Sequence, residues 1–113
     1  MNGWEFYSGS DLRDFVITHV NKNEILKDVK FKEYLLRPEN HYAFVWLVQD
    51  LSFDDAQVLL DNLFLERIIE TDERAKDKFN AIIDSKSEIF LSATDKILEY
   101  ILDSTTLYFL FSV

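Results

Sequence analysis

His41-Tyr42-Ala43-Phe44-Val45-Trp46-Leu47-Val48 is the run on which the fold class turns. It is rich in β-branched and aromatic residues, and by propensity alone it is a buried strand. As a helix it is apolar nearly all round, which demands a central, well-covered position. The flanks select the helix. Arg37-Pro38-Glu39-Asn40 places a proline where a first helical turn accepts one, with an acid beside it at the positive end of the dipole. A capped helix comes directly after it. The chain is therefore read as mainly α, built of antiparallel helix pairs in a single helical domain over residues 1–113. The alternative is an α+β fold with strands near 41–48 and 105–113.

On the C-terminal side, Ser52-Phe53-Asp54-Asp55 resembles a capping box with Asp in place of Glu or Gln. Phe53, Ala56, Leu59, Leu60, Leu63, Phe64 and Ile68 then recur at helical spacing, predicting one continuous helix over 53–69 with Leu60 and Trp46 in the core. Thr71 is expected to cap a helix through Asp84, with Asp72 paired to Lys76. Ser85 with Glu88 forms a capping box for a further helix through Leu102. Residues 107–113 complete the chain as a short helix or edge strand.

On the N-terminal side, Ser10 caps a predicted helix over 11–20, in which Leu12, Phe15, Val16, His19 and Val20 make one apolar stripe. Asn23 caps a second, through Leu36, with Ile25, Leu26 and Val29 on its apolar side. Asp28–Lys32 and Glu33–Arg37 are favourable four-residue pairs.

Composition supports this reading. A chain of 113 residues is one domain's worth, and 48% hydrophobic with 15% aromatic content is enough to offset the entropy of ordering. Two glycines and one proline leave few special turns for hairpins. There is no cysteine, which excludes disulfides and thiolate chemistry and fits a cytoplasmic location. No basic-then-apolar leader opens the sequence, and the apolar run 107–111 is far shorter than the roughly 20 residues of a membrane span. A soluble protein with no membrane partner is expected.

The stretch from Tyr34 to Ile69 joins Tyr34-Leu35-Leu36-Arg37-Pro38-Glu39-Asn40, an aromatic helix, and Leu51-Ser52-Phe53-Asp54-Asp55-Ala56 through short junctions. It resembles a HEAT-like helix pair. Such pairs stack into curved scaffolds that bind other proteins, and some bacterial immunity proteins against secreted toxins are helical arrays of this kind. The resemblance implies protein binding.

The formal net charge of −9 is concentrated in one place. Residues 1–49 and 74–113 are each close to balance. Between 50 and 73, Asp50, Asp54, Asp55, Asp61, Glu66, Glu70, Asp72 and Glu73 face a single base, Arg67. Direct nucleic-acid binding needs the opposite sign to neutralise phosphates. A concentrated acidic field instead suits a basic protein partner, because it steers encounter and rejects wrong partners.

Enzyme chemistry finds no support. The only glycines, Gly3 and Gly9, cannot form a phosphate-binding loop. His19 and His41 stand 22 positions apart without a metal-ligand pattern. His19 is expected as a hydrogen-bonded core histidine and His41 as an exposed one. The serines fall at helix caps rather than in a nucleophile turn. Asp54-Asp55 and Asp72-Glu73 sit in first turns of predicted helices, where the dipole favours acids. Asp61, Glu66 and Glu70 have no such local explanation, and Glu66 and Glu70 repel at four-residue spacing.

The sequence thus predicts a protein-binding module with no catalytic residue, metal or cofactor. Its partner-binding set is those eight acids, and its most concrete version is an inhibitor or immunity-type protein covering the cationic site of a nuclease-like toxin. A structural or regulatory subunit docking through an apolar surface, and a nucleic-acid-mimicking anti-defence protein, are the alternatives.

Overall fold

A computed structural model describes residues 3–103. Among them are eight α-helices and no strand: α1 (Gly9–Thr18), α2 (Lys22–Lys27), α3 (Val29–Leu35), α4 (His41–Asp50), α5 (Phe53–Leu59), α6 (Asn62–Thr71), α7 (Ala75–Lys86) and α8 (Asp95–Ile101). Short 3-10 turns occupy Trp4–Phe6, Pro38–Asn40 and Ser87–Ser92. The fold is mainly α. The strand alternative for 41–48 is overturned, and that for 105–113 lies outside the described residues.

The aromatic run becomes α4 because the fold can cover it. Helices α1 and α7 both pack extensively on α4, and Ala43, Phe44, Leu47 and Val48 are fully enclosed. Pro38 opens the preceding 3-10 turn, and Arg37 before it is extended, as the residue ahead of a proline prefers to be. Asn40 is fully buried at this junction. Its amide nitrogen donates to the Tyr34 carbonyl at 2.9 Å, and its oxygen accepts from the Gly9 amide at 3.1 Å. One side chain therefore ties the end of α3 to the start of α1. Gly9 has φ +55°, a conformation open to glycine at little cost.

Several boundaries differ from the sequence reading, each for a local physical reason. The first helix begins at Gly9, so Ser10 lies inside it, and it ends at Thr18, leaving Val20 exposed. The second segment breaks at Asp28, whose carboxylate accepts from the Lys30 amide and caps α3. The predicted 53–69 helix breaks at Leu60-Asp61. Leu60 leaves helical geometry, Asp61 is extended, and its Oδ1 accepts from the Phe64 amide at 2.8 Å. Aspartate is a strong N-cap, and here capping prevails over continuity of the apolar stripe. Leu60 is core at 3% exposure, whereas Leu63 is 79% exposed.

Thr71 ends α6 by donating back to the Arg67 carbonyl rather than capping α7. Ser85 lies within α7 and bonds the Ala81 carbonyl, so the expected capping box with Glu88 does not form. Trp46 is only half-buried, its ring covered by the Arg13 guanidinium at 5.3 Å. No helix among the described residues is long and apolar enough to cross a membrane.

Candidate functional site

A cleft of about 250 Å³ opens between α3 and α6. Val29, Lys32 and Glu33 share one face of α3 at the i, i+3, i+4 spacing. Leu63, Glu66, Arg67 and Glu70 share one face of α6 by the same rule, with Asp61 at its head and Phe64 as floor. Val29 is 66% exposed and Leu63 79%. The cleft is thus apolar within and carboxylate-rimmed.

Three of the eight sequence-predicted acids meet here, and none is without a partner. Asp61 Oδ2 accepts from Lys32 Nζ at 2.6 Å, and the lysine is nearly enclosed. The Lys32 ammonium also lies 5.7 Å from the centre of the Phe64 ring. Glu66 Oε2 accepts from the Thr94 hydroxyl at 2.7 Å. Glu70 Oε2 accepts from Lys96 Nζ at 2.8 Å, and this ammonium holds the Glu70 carboxyl below the ordinary glutamate range. Arg67 reaches across to Glu33 at 3.0 Å. The expectation that Asp61, Glu66 and Glu70 lack structural return is therefore corrected. Their relief comes from α3 and from α8 with its cap, 26 to 29 positions away in sequence.

The other five acids lie elsewhere. Asp50 accepts from Arg13 at 2.8 Å. Asp54 and Asp55 occupy the first turn of α5, where the Asp55 amide bonds Ser52 Oγ and its carboxylate stands 3.9 Å from Lys22. Glu73 is exposed in the turn before α7. Asp72 points inward.

That inward carboxylate belongs to a buried polar cluster. Asp72 Oδ1 accepts from the Arg74 amide, and Oδ2 stands 2.8 Å from Lys78 Nζ, an ion pair without hydrogen-bond alignment. Lys78, 1% exposed, is 2.9 Å from Nδ1 of His41, 2% exposed. His41 is thus buried, correcting the expectation that it is exposed. An ammonium has only donors, so Nδ1 accepts and the imidazole is neutral with its proton on Nε2. Burial, then the Lys78 and Arg74 charges, push its pKa down. Nothing in the helical pattern marked Lys78, because the three residues share no single element.

The residues missed by sequence reasoning in the cleft are Val29, Lys32, Glu33, Leu63, Phe64 and Arg67. Leu63 and Phe64 were placed on a core stripe and Glu33 on a pair with Arg37. The Asp61-Asn62 step ahead of Leu63 was the available signal, as an N-cap. Among the described residues, no group of three His, Cys, Asp or Glu is placed to hold a metal ion. Comparison with protein-family models, curated proteins and solved structures finds no match to this chain.

Proposed function

We propose that this chain is a non-catalytic protein-binding module of the cytoplasm that docks a basic protein partner in the α3–α6 cleft. The observation that carries the reading is the combination of an apolar interior, with Val29 and Leu63 exposed, and a rim of Glu33, Asp61, Glu66 and Glu70. An apolar centre inside a polar rim is the anatomy of a protein interface. The Arg67–Glu33 and Lys96–Glu70 pairs are each about half exposed. Pairs of that kind contribute little to stability, so a partner's cations replace Arg67 and Lys96 at small cost. In the inhibitor or immunity-type version, the partner is a nuclease-like toxin and these carboxylates take the place of substrate phosphates.

The second reading, a regulatory or structural subunit held by apolar contact, is favoured by the exposure of Leu63 alone. A capture experiment from the native host separates the two. Parent protein, Glu66→Gln/Glu70→Gln and Leu63→Ser are immobilised and washed at low and high salt. A basic partner that is lost at high salt and retained poorly by the Gln pair supports charge docking, because screening weakens exposed charge pairs. Retention that ignores salt and fails only with Leu63→Ser supports the subunit reading. Equal capture by all three proteins would place the contact outside this cleft.

A further inference from the structure

Tyr42, Val45 and Gln49 recur at i, i+3, i+7 along α4, and Asp77, Asn80 and Asp84 do the same along α7. These two faces border a pocket of about 280 Å³. Its size lies just under the roughly 300–1,000 Å³ of drug-sized ligand sites, so a small molecule fills it. The Tyr42 ring is already occupied. The Arg74 guanidinium stands over it at 5.4 Å and reaches Asp77 at 3.5 Å, closing one end of the pocket.

His41 meets the pocket from within the fold. The residue is 2% exposed, Lys78 takes its Nδ1, and its proton is on Nε2. That N–H has no acceptor within hydrogen-bond distance among the described residues, since Asp77 Oδ2 stands 3.9 Å away. The enclosed side-chain atoms left without a partner among those residues are Glu5 Oε2 and Asp72 Oδ2. His41 Nε2 is not one of them, so it keeps surface on the pocket.

A gap of 3.9 Å between a donor and an acceptor takes one oxygen atom, at roughly 2.8 Å from each. That atom must accept from Nε2–H and donate to the carboxylate. A carboxylate ligand only accepts and an ammonium only donates, whereas a hydroxyl does both. Beside the gap, the side chains of Gln49, Asn80 and Asp84 line the pocket without a hydrogen bond or ion pair to the rest of the described chain. The two amides also donate and accept, which suits further hydroxyls of the same molecule.

We propose that the α4–α7 pocket binds a small neutral polyol, a single-ring sugar or cyclitol, with one hydroxyl seated between His41 Nε2 and Asp77 Oδ2. Its other hydroxyls meet Asn80, Gln49 and Asp84, and the C–H face of the ring lies on Val45 and Ala81. The site is separate from the α3–α6 cleft and does not depend on the docking reading.

The probes are methyl glucoside and myo-inositol, titrated into the ¹⁵N-labelled full chain. Acetate, ethylammonium, N-acetylserinamide and tetrahydropyran, a ring without hydroxyls, are the controls. At least one polyol should shift the amides of Tyr42, Asp77 and Asn80 together with the His41 Nε2 resonance, and leave Leu63, Glu66 and Glu70 unmoved. The controls should bind more weakly or not at all. Asp77 is more than half exposed, so Asp77→Ala keeps the fold. It should weaken polyol binding roughly tenfold, the scale of one hydrogen bond to a charged group. Asn80→Ala, a second variant, should weaken it several-fold. Absence of shifts with both polyols would show that the gap takes water only and would overturn the inference. So would an equal response to acetate, ethylammonium or tetrahydropyran, or an affinity that survives both substitutions. Equal binding of N-acetylserinamide would overturn the sugar assignment in favour of a partner's serine.

Discussion

Nδ1 of His41 accepts a hydrogen bond from Nζ of Lys78 at 2.9 Å, in a site where both side chains are almost fully enclosed between α4 and α7. The arrangement has room for one positive charge. Protonating His41 would remove the acceptor and set two cations against each other in a poorly solvated place.

That geometry makes stability depend on pH. The folded chain lowers the His41 pKa below its ordinary value of 6.5, so in the window below 6.5 the unfolded chain binds the extra proton. Stability from the neutral imidazole is present in full above pH 6.5 and is lost as pH falls toward the lowered value. Arg74 adds to the depression, while Asp77 and Asp72 oppose it. Urea midpoints between pH 8 and 5 should fall for the parent. They should fall less steeply for His41→Gln, which keeps an acceptor but does not titrate.

Lys78 is the second test of the cluster. Lys78→Met leaves the Asp72 carboxylate facing inward without its cation, and it should destabilise by about 3–5 kcal/mol, as breaking a buried pair does. Adding Asp72→Asn removes the stranded charge and should recover part of the loss. Denaturant unfolding of the single and double variants measures both.

The break between α5 and α6 predicts opposite outcomes for two nearby leucines. Leu60→Ala should cost about 2–5 kcal/mol, because a fully packed side chain is lost. Leu63→Ala should stay within about 0.5 kcal/mol of the parent, since its side chain faces solvent. A continuous helix with Leu63 in the core would make both variants costly. Thermal or urea unfolding distinguishes the cases.

Asp61 carries two roles that separate by substitution. Asp61→Asn keeps an N-cap acceptor for the Phe64 amide but removes the charge facing Lys32. Asp61→Ala removes both and should be the less stable by about 1 kcal/mol, the usual worth of a cap. Equal losses would show that the Lys32 pair dominates. The comparison needs only matched unfolding curves.

The helical class, and much of the core, were legible in the residues themselves. Leu12, Val16, Leu59, Leu60, Phe64 and Ile68 lie at helical spacing and are buried, because a 3.6-residue period is a property of the chain taken a turn or two at a time. Proline followed by an acid before His41 resolved the aromatic run for the same local reason. The concentration of acids over 50–73 was equally visible, being only a count of charges along the chain.

What those acids do depended on residues outside their own helix. Asp61 meets Lys32, Glu66 meets Thr94, Glu70 meets Lys96 and Asp72 meets Lys78 rather than Lys76. The first three partners are distant in sequence, brought near by packing that periodicity does not encode. The helix breaks at Asp28 and Asp61 are local by contrast: each carboxylate turns to cap the next helix through the Lys30 or Phe64 amide. Hydrophobic periodicity alone does not weigh that competition. His41 looked like an exposed residue at a helix start, and became a buried acceptor only because α7 lays Lys78 against it. Local pattern and capping select the elements and where each one stops, while burial and charge pairing across elements select which of its side chains remain available to a partner.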